Sequence, residues 1–227
     1  MHIENVIWQA LTTRQVHFAE SCDGARRFLR EVTLLSAFPE PNDEGYGALG
    51  RLAGPGGTAG VFLNEPHQPR SGWEYIAGAA LTQMICENGH NPGASRSDLQ
   101  ILKLGDKDSP DMLELTALTK PGPFGTRTHE LGSYVGIRDH GKLIAMAGER
   151  LKVPGHTEVS AVCTHPDHLG KGYAGALMLE VMRGIRDRGE TPFLHVRSDN
   201  LRAIALYERL GFRTRWEGHY AVLRRTV

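Results

Sequence analysis

The pattern of apolar and polar positions in the first part of the chain predicts a few strands and helices separated by turns. Apolar runs at 58–63 and 73–86 read as strands, and residues 5–18 and 44–53 are weaker helix candidates. Stretches rich in glycine and proline separate these elements. The pattern therefore predicts an α/β arrangement rather than an all-helical or all-strand one.

A polar, turn-rich stretch at 87–98 interrupts the pattern and is the best candidate for a domain boundary. On this basis we predict an N-terminal α/β region at residues 1–96 and a second domain at residues 97–227. The second domain begins where the alternation of strands and helices becomes more regular.

The second domain alternates strands with helices. Its predicted strands lie at 99–105, 133–137, 142–151, 157–164, 191–198 and 212–225. Ser109 and Pro110 begin one helix, with the proline at the first helical position. Apolar residues at helical spacing predict two more helices, which Gly189 and Gly211 end. The fold class predicted by this order is α/β.

The stretch between the strand at 157–164 and the following helix predicts an anion-binding site. Gly170 and Gly172 lie in a short segment that leads directly into the helix. Glycines let the backbone approach a ligand closely, and the free N–H groups of the first helical turn point toward it. The helix dipole adds positive charge at the same place, so a pyrophosphate is the expected occupant.

The composition of the chain bears on which partners, metals and cellular location to expect. The chain has 26 lysines and arginines against 26 aspartates and glutamates, which gives no indication of nucleic acid or of an anionic membrane as partner. Its three cysteines are too widely spaced for a disulfide framework or a metal pair, so we expect a cytoplasmic protein. We also expect no signal peptide, no membrane span and no metal, although His156, His165 and His168 cluster in sequence.

Two motifs resemble those of the GNAT superfamily of acyl-CoA-dependent N-acyltransferases. The loop motif is Leu169-Gly170-Lys171-Gly172-Tyr173-Ala174, with Leu169 in place of the usual glutamine or arginine. The second motif runs from Asn200 through Ala203, Tyr207 and Glu208 to Gly211-Phe212. The resemblance covers 99–225 and implies a mixed central sheet flanked by helices. It also leaves open that the N-terminal region is a degenerate partial GNAT unit.

The resemblance implies acetyl-CoA as acyl donor and a set of residues that bind it. Backbone groups of the strand end would pair with the pantetheine, and those of the glycine loop would bind the pyrophosphate. The expected donor-binding residues are Val162, Cys163, Thr164, Leu169, Gly170, Lys171, Gly172, Tyr173, Ala174, Gly175 and Asn200. A solvated loop is an equally good interpretation of Lys171, and a small buried side chain is the better one for Cys163.

Two side chains are the candidates for proton transfer. By analogy, Tyr207 points toward the sulfur of the donor, where its phenol could protonate the leaving thiolate. Glu158 is the leading candidate for the base, because strand alternation places it on one face with Ser160, Val162 and Thr164. Glu149 is the reserve, and an ordered water is the alternative to a dedicated base.

The function implied by the resemblance is transfer of an acetyl group from acetyl-CoA to a primary amine, by direct attack in a ternary complex. The alternative from another class is a catalytically silent protein that binds or senses acyl-CoA. A nicotinamide-binding protein is excluded, because no GxGxxG motif lies in a strand–helix–strand unit. The acceptor, the acyl length and the oligomeric state, a homodimer included, are left open by the sequence.

Overall fold

The computed structural model describes residues 4–87 and 98–226, so all but the two end residues of the predicted boundary at 87–98 lie outside the described residues. The strands in the described part are β1 (Ala19–Cys22), β2 (Ala25–Phe28), β3 (Ser36–Ala37), β4 (Thr58–Leu63), β5 (Trp73–Ile85), β6 (Leu102–Leu104), β7 (Tyr134–Asp139), β8 (Lys142–Val153), β9 (His156–Thr164), β10 (Thr191–Arg197) and β11 (Arg213–Arg225). The α-helices there are α1 (Val6–Thr12), α2 (Asp43–Ala53), α3 (Ser109–Thr119), α4 (Tyr173–Asp187) and α5 (Leu201–Arg209).

One large mixed sheet organises the molecule and confirms the predicted α/β class. Its eight strands lie in the order β4-β11-β5-β10-β9-β8-β7-β6. The pair β9 and β10 is parallel, and the other neighbouring pairs are antiparallel. The short strands β1 to β3 form a separate three-stranded sheet that the hydrophobic pattern did not predict.

The two segments predicted as separate regions contribute to the same sheet. Strand β5, from the first segment, lies between β10 and β11 of the second and pairs with both. Helix α1 packs in one hydrophobic cluster with Leu151 and Val153 of β8 and Phe193 of β10. The first segment therefore completes the sheet of the second. That it is a degenerate copy of the second stays a prediction.

Helices cover both faces of the sheet, which fixes the direction of each strand residue. Helices α4 and α5 pack against Val159 and Leu194, on what we call the α4 face. On the opposite face, α1 packs near Phe193 and α3 near Cys163. Neighbouring residues of a strand point to opposite faces of the sheet. The helices that a strand side chain packs against therefore show on which face it lies.

A bulge in β9 corrects one prediction about this strand. Between the pairs Gly148↔Ser160 and Met146↔Cys163, β9 has one residue more than β8. Ala161 accommodates it with a left-handed φ of 53°. The bulge reverses the alternation, so Val162 packs on the α4 face together with Val159. The prediction that Glu158 shares a face with Val162 and Thr164 is therefore wrong.

The N-terminal helix is shorter than the predicted one at 5–18. Helix α1 ends at Thr12, and a separate 3₁₀ turn follows at Val16–Phe18. The hydroxyls of Thr12 and Thr13 donate to the carbonyls of Trp8 and Gln9, at 2.7 and 2.6 Å, which occupies acceptors of the last helical turn. Over the described residues, none of the helices is both long and apolar enough to cross a membrane.

Candidate functional site

Strands β9 and β10 separate beyond their first few residues and leave part of β9 without a neighbour on that side. Their pairing ends at Phe193↔Glu158. We call the gap between β9 residues 159–164 and β10 residues 194–197 the fork. Within the described part of the chain, no strand pairs with β9 along this edge, so its backbone groups are open to an added strand or to an extended ligand.

The glycine segment adopts the predicted conformation at the end of β9. Gly170 and Gly172 have φ values of 79° and 78°, in the left-handed region that favours glycine. Helix α4 begins at Tyr173, and no described side chain caps its N-terminus. The first N–H groups of α4 are therefore free to bind an anion, with the helix dipole aligned to favour it.

The predicted donor-binding residues come together in one cleft of about 410 Å³ beside the fork. Its lining contains the following predicted residues: Val162, Cys163, Thr164, Leu169, Gly170, Lys171, Gly172, Tyr173, Ala174, Gly175, Asn200 and Tyr207. Glu158 is not part of this lining. The cleft thus joins the β9 edge, the glycine loop and one side of α5 in a single space.

Two basic residues of the cleft were not predicted from the sequence. Arg202 and Arg209 belong to α5 and line the same space as the glycine loop. They are seven residues apart, which places them on the same side of a helix two turns apart. This seven-residue spacing could have predicted from the sequence that the two arginines share one side of the helix. The pair adds positive charge where an anionic ligand is expected.

Tyr207 lies on the inner side of α5, as predicted. Its side chain is 9% exposed and packs against Phe212, with ring centroids 6.2 Å apart. Burial raises the pKa of Tyr207 to about 12. The phenol therefore keeps its proton at neutral pH and can act as a hydrogen-bond donor or acid in the cleft.

Cys163 lines the cleft but is not suited to act as a nucleophile. Burial raises the pKa of its thiol to about 11, against a smaller opposing effect of a hydrogen bond with the Thr119 side chain. The reactive form of cysteine is the thiolate, which this environment disfavours. The prediction of a small buried side chain agrees with this geometry.

Glu158 lies inside a buried ion-pair network on the face opposite α4. Arg150 donates to both of its oxygens, at 2.8 and 2.7 Å, and the Leu151 N–H donates at 3.2 Å. Burial alone would raise the pKa of Glu158, but the charge and hydrogen bonds of Arg150, together with His195, hold it at about 2. A carboxylate held in this way is a poor proton acceptor, so the geometry does not favour the predicted base role.

The reserve candidate, Glu149, is also buried in ion pairs. It is 1% exposed, and its carboxylate pairs with Arg188 at 2.8 Å and with Lys152 at 3.0 Å. Both candidate carboxylates are thus engaged in buried ion pairs, and neither lines the cleft.

His195, which was not predicted as a site residue from the sequence, completes the network. His195 Nδ1 lies 2.7 Å from Glu158 Oε1, and its Nε2 lies 3.1 Å from Gln83 Nε2. His195 and Gln83 line a second pocket, of about 190 Å³, on the face opposite α4. The sequence feature that could have indicated His195 is its position between apolar residues of a buried strand, in the run Phe193-Leu194-His195-Val196.

The residues of the cleft suit an anion rather than a metal ion. Nowhere in the described part of the chain do three histidine, cysteine, aspartate or glutamate side chains group in a way that could hold a metal. The lining instead offers backbone N–H groups, Lys171, Arg202 and Arg209, which are the partners of phosphate groups.

Known proteins resemble this chain in sequence and in fold. Residues 134–221 match the family model described as FR47-like protein. The structure of a GNAT-family protein from Novosphingobium aromaticivorans is 33% identical, covers all of both chains and superposes with a TM-score of 0.88. That similarity includes the first segment as well as the second.

Two curated relatives match shorter stretches. N-alpha-acetyltransferase RimI of Mycobacterium tuberculosis is 36% identical over 99 residues, which are 40% of this chain and 61% of the relative. Mycothiol acetyltransferase of Saccharomonospora viridis is 47% identical over 58 residues, which are 25% of this chain and 19% of the relative. The matches therefore span less than two thirds of either relative.

Proposed function

Because the chain belongs to the GNAT family of acetyltransferases, we propose that it transfers an acetyl group from acetyl-CoA to a primary amine by direct attack in a ternary complex. The observation that carries the proposal is the cleft beside the fork. It joins a free strand edge, an uncapped helix N-terminus and a protonated tyrosine in one space. Acetyl-CoA supplies an activated acyl group as its thioester.

The binding of the donor follows from the order of these groups along the cleft. The N–H groups at Gly172 and the start of α4 bind the pyrophosphate, with Lys171, Arg202 and Arg209 supplying charge. The open edge of β9 hydrogen-bonds the amide groups of the pantetheine as an added strand would. Asn200 accepts from the Ala203 N–H at 3.2 Å through its side-chain oxygen, which leaves its amide nitrogen to donate to the ligand.

Tyr207 supplies the proton for the leaving thiolate. Its phenol is protonated at neutral pH, because burial raises its pKa to about 12. A positioned acid of this kind contributes roughly 10²–10⁴-fold to the rate. The amine attacks directly, since Cys163, whose pKa is raised to about 11, is unsuited to form a covalent intermediate.

An amine acceptor is supported by the name of one relative. N-alpha-acetyltransferase denotes transfer to an α-amino group, and that relative is 36% identical over the matched stretch. The neutral net charge of the chain favours neither peptides nor small amines.

The test combines donor binding with turnover. Acetyl-CoA at about 100 times its Kd should stabilise the fold by roughly 2.7 kcal/mol, measured by thermal unfolding. A panel of primary amines should then release CoA in a thiol-detection assay. If neither acetyl-CoA nor CoA changes the melting temperature, the donor is wrong. Binding without turnover of any amine would indicate a silent acyl-CoA-binding protein.

A further inference from the structure

The pocket on the face opposite α4 lies next to the fork and shares no lining residue with the donor cleft. Its polar lining includes Gln83 of β5, His195 of β10 and Trp216 of β11. The Trp216 indole N–H donates to Asn64 at 3.0 Å, which fixes the ring at the wall of the pocket. The His195 side chain is 2% exposed to solvent, and its Nδ1 hydrogen-bonds Glu158.

The two strands of the fork each line one of the two spaces, with His195 of β10 in this pocket and Val162 of β9 in the donor cleft. Glu158 is the last β9 residue that pairs with β10, and His195 lies two residues past its partner Phe193. The contact between Glu158 and His195 therefore lies where the two strands begin to separate. The donor cleft opens on the α4 side of the same separation, at Val162. A molecule in the pocket and an acyl group in the cleft would meet through this gap.

The network determines which nitrogen of His195 can take a proton. Glu158 stays ionised, because its pKa is held at about 2, and an ionised carboxylate can only accept hydrogen bonds. Nδ1 of His195 must then carry the hydrogen that it shares with Glu158 Oε1 at 2.7 Å. Nε2 is left as the acceptor, and the Gln83 amide nitrogen donates to it at 3.1 Å. An entering N–H group can take the place of Gln83.

The charge of the pocket indicates the class of molecule it takes. Among its described lining residues are the carboxylates Glu4 and Glu40, but no lysine or arginine. The rings of Phe62 and Trp216 also line it, and aromatic faces attract cations. Negative charge, aromatic faces and a volume of about 190 Å³ suit a small, positively charged amine.

We propose that this pocket binds the acceptor, a small cationic primary amine, and that His195 accepts the proton of its attacking nitrogen. Glu158 is the positioning residue that holds the tautomer of His195. The inference rests on the proposed function. The ammonium first loses one proton to solvent, because only the neutral amine has the lone pair that attacks. As the N–C bond forms and the C–S bond breaks, the nitrogen gives its second proton to His195 Nε2 and Tyr207 gives one to the thiolate. Exchange with solvent then restores both side chains.

Binding is tested first, without turnover. Protein labelled with ¹⁵N-tryptophan and saturated with CoA is titrated with 1,4-diaminobutane and with phenethylamine. We expect the indole signal of Trp216, assigned with Trp216→Phe, to shift, while those of Trp8 and Trp73 stay in place. If Trp216 does not respond, or if the three signals shift equally, the pocket is not the acceptor site.

Turnover is tested with His195→Asn, whose amide nitrogen can keep the hydrogen bond with Glu158. We expect kcat to fall about 100-fold or more, while KM for acetyl-CoA and the Trp216 titration are unchanged. His140→Asn is the matched control, because His140 is an exposed turn residue whose left-handed φ of 46° suits asparagine. If the Asn variant does not fold, His195→Gln repeats the test. A normal kcat in either folded variant would exclude His195 as the proton acceptor.

Two further variants separate positioning from charge. Glu158→Gln should lower kcat without changing KM for acetyl-CoA, and adding it to His195→Asn should cause little further loss. Independent losses that multiply would contradict a positioning role. Glu40→Gln should raise KM for 1,4-diaminobutane about two- to fivefold, whereas Glu44→Gln, on the exposed side of α2, should not. Equal effects of these two substitutions would contradict a cation-binding role of Glu40.

The outcomes distinguish this inference from the proposed function. If the wild type turns over amines while Trp216 does not respond and His195→Asn is fully active, the inference fails and the acetyltransferase proposal stands. If Trp216 responds but no amine is turned over, the amine-acetylation proposal fails, and with it the role of His195 in proton transfer.

Discussion

Arg150 donates two hydrogen bonds to Glu158, from Nε to Oε2 at 2.8 Å and from an Nη to Oε1 at 2.7 Å. Both side chains are almost completely buried, at 8% and 0% exposure. The pairing gives each charge its main compensation for the loss of water. Glu158 therefore stays ionised inside the sheet. It hydrogen-bonds His195 and is the last β9 residue that pairs with β10.

Glu158→Gln should strongly destabilise the fold, because it leaves the charge of Arg150 buried without its partner. Breaking a buried pair from one side costs about 3–5 kcal/mol. Urea unfolding measures the loss. Glu180→Gln is the control, since Glu180 pairs with Arg183 at the surface of α4, where such pairs contribute about 0–1 kcal/mol. Equal losses for the two variants would contradict the importance of the network.

The stability of the protein should decrease in acid, partly because of Glu158. Its pKa is about 2 in the folded protein against an ordinary value of 4.5. The stabilisation is therefore fully present above about pH 4.5 and is lost as the pH falls through about 2, and it amounts to about 3 kcal/mol. The free energy of unfolding of the wild type should fall more steeply over this range than that of Glu158→Gln. Parallel curves would assign the acid sensitivity to other carboxylates.

Gly172→Glu should abolish CoA binding, because the carboxylate would occupy and repel the phosphate position at the start of α4. The substitution also strains the left-handed φ of 78°. Gly189→Glu is a matched control at the other end of α4, with a φ of 73° and open space around it. Both variants should lose similar stability, and calorimetry should detect CoA binding only to the control. Retained binding by folded Gly172→Glu would remove the loop from the site.

Tyr207→Phe removes the hydroxyl and keeps the ring that packs against Phe212. Turnover should fall roughly 10²–10⁴-fold if the phenol protonates the thiolate, while CoA binding changes little. The loss should shrink for acyl donors whose thiol is more acidic, since that leaving group needs less help. Tyr75→Phe, at an exposed position, serves as control. A fully active Tyr207→Phe would leave this residue with a packing role only.

Local sequence signals predicted a set of residues that the structure brings together in one cleft, and that this cleft binds the donor stays a prediction. The glycine loop, the start of α4 and the inner side of α5 depend on residues close together in sequence, so the motif at Leu169 to Ala174 and the spacing of Ala203 and Tyr207 were sufficient. Helix α2 was found for the same reason, and the Asn42 side chain caps it by accepting from the Gly45 N–H at 2.9 Å.

Pairing between distant strands and irregular backbone conformations could not be predicted from local sequence patterns. The bulge at Ala161 reverses the alternation of side chains along β9, and no nearby residue in the sequence indicates a bulge. Glu158 was therefore wrongly predicted to share a face with Val162 and Thr164. The pairing of β5 with β10 joins Gln83 to His195 across 112 positions. The second pocket combines residues of both segments, and periodicity within one segment cannot reveal it.

The position of β5 between β10 and β11 also has a consequence for biosynthesis. A ribosome makes the chain from its N-terminus, so β5 leaves the exit tunnel long before either of its neighbours. Until β10 emerges, both edges of β5 lack their partner strands, and one edge stays unpaired until β11 follows; an unpaired strand of this kind is a template that promotes aggregation. Expression yield should therefore depend on holdase chaperones and on translation speed through the last third of the message.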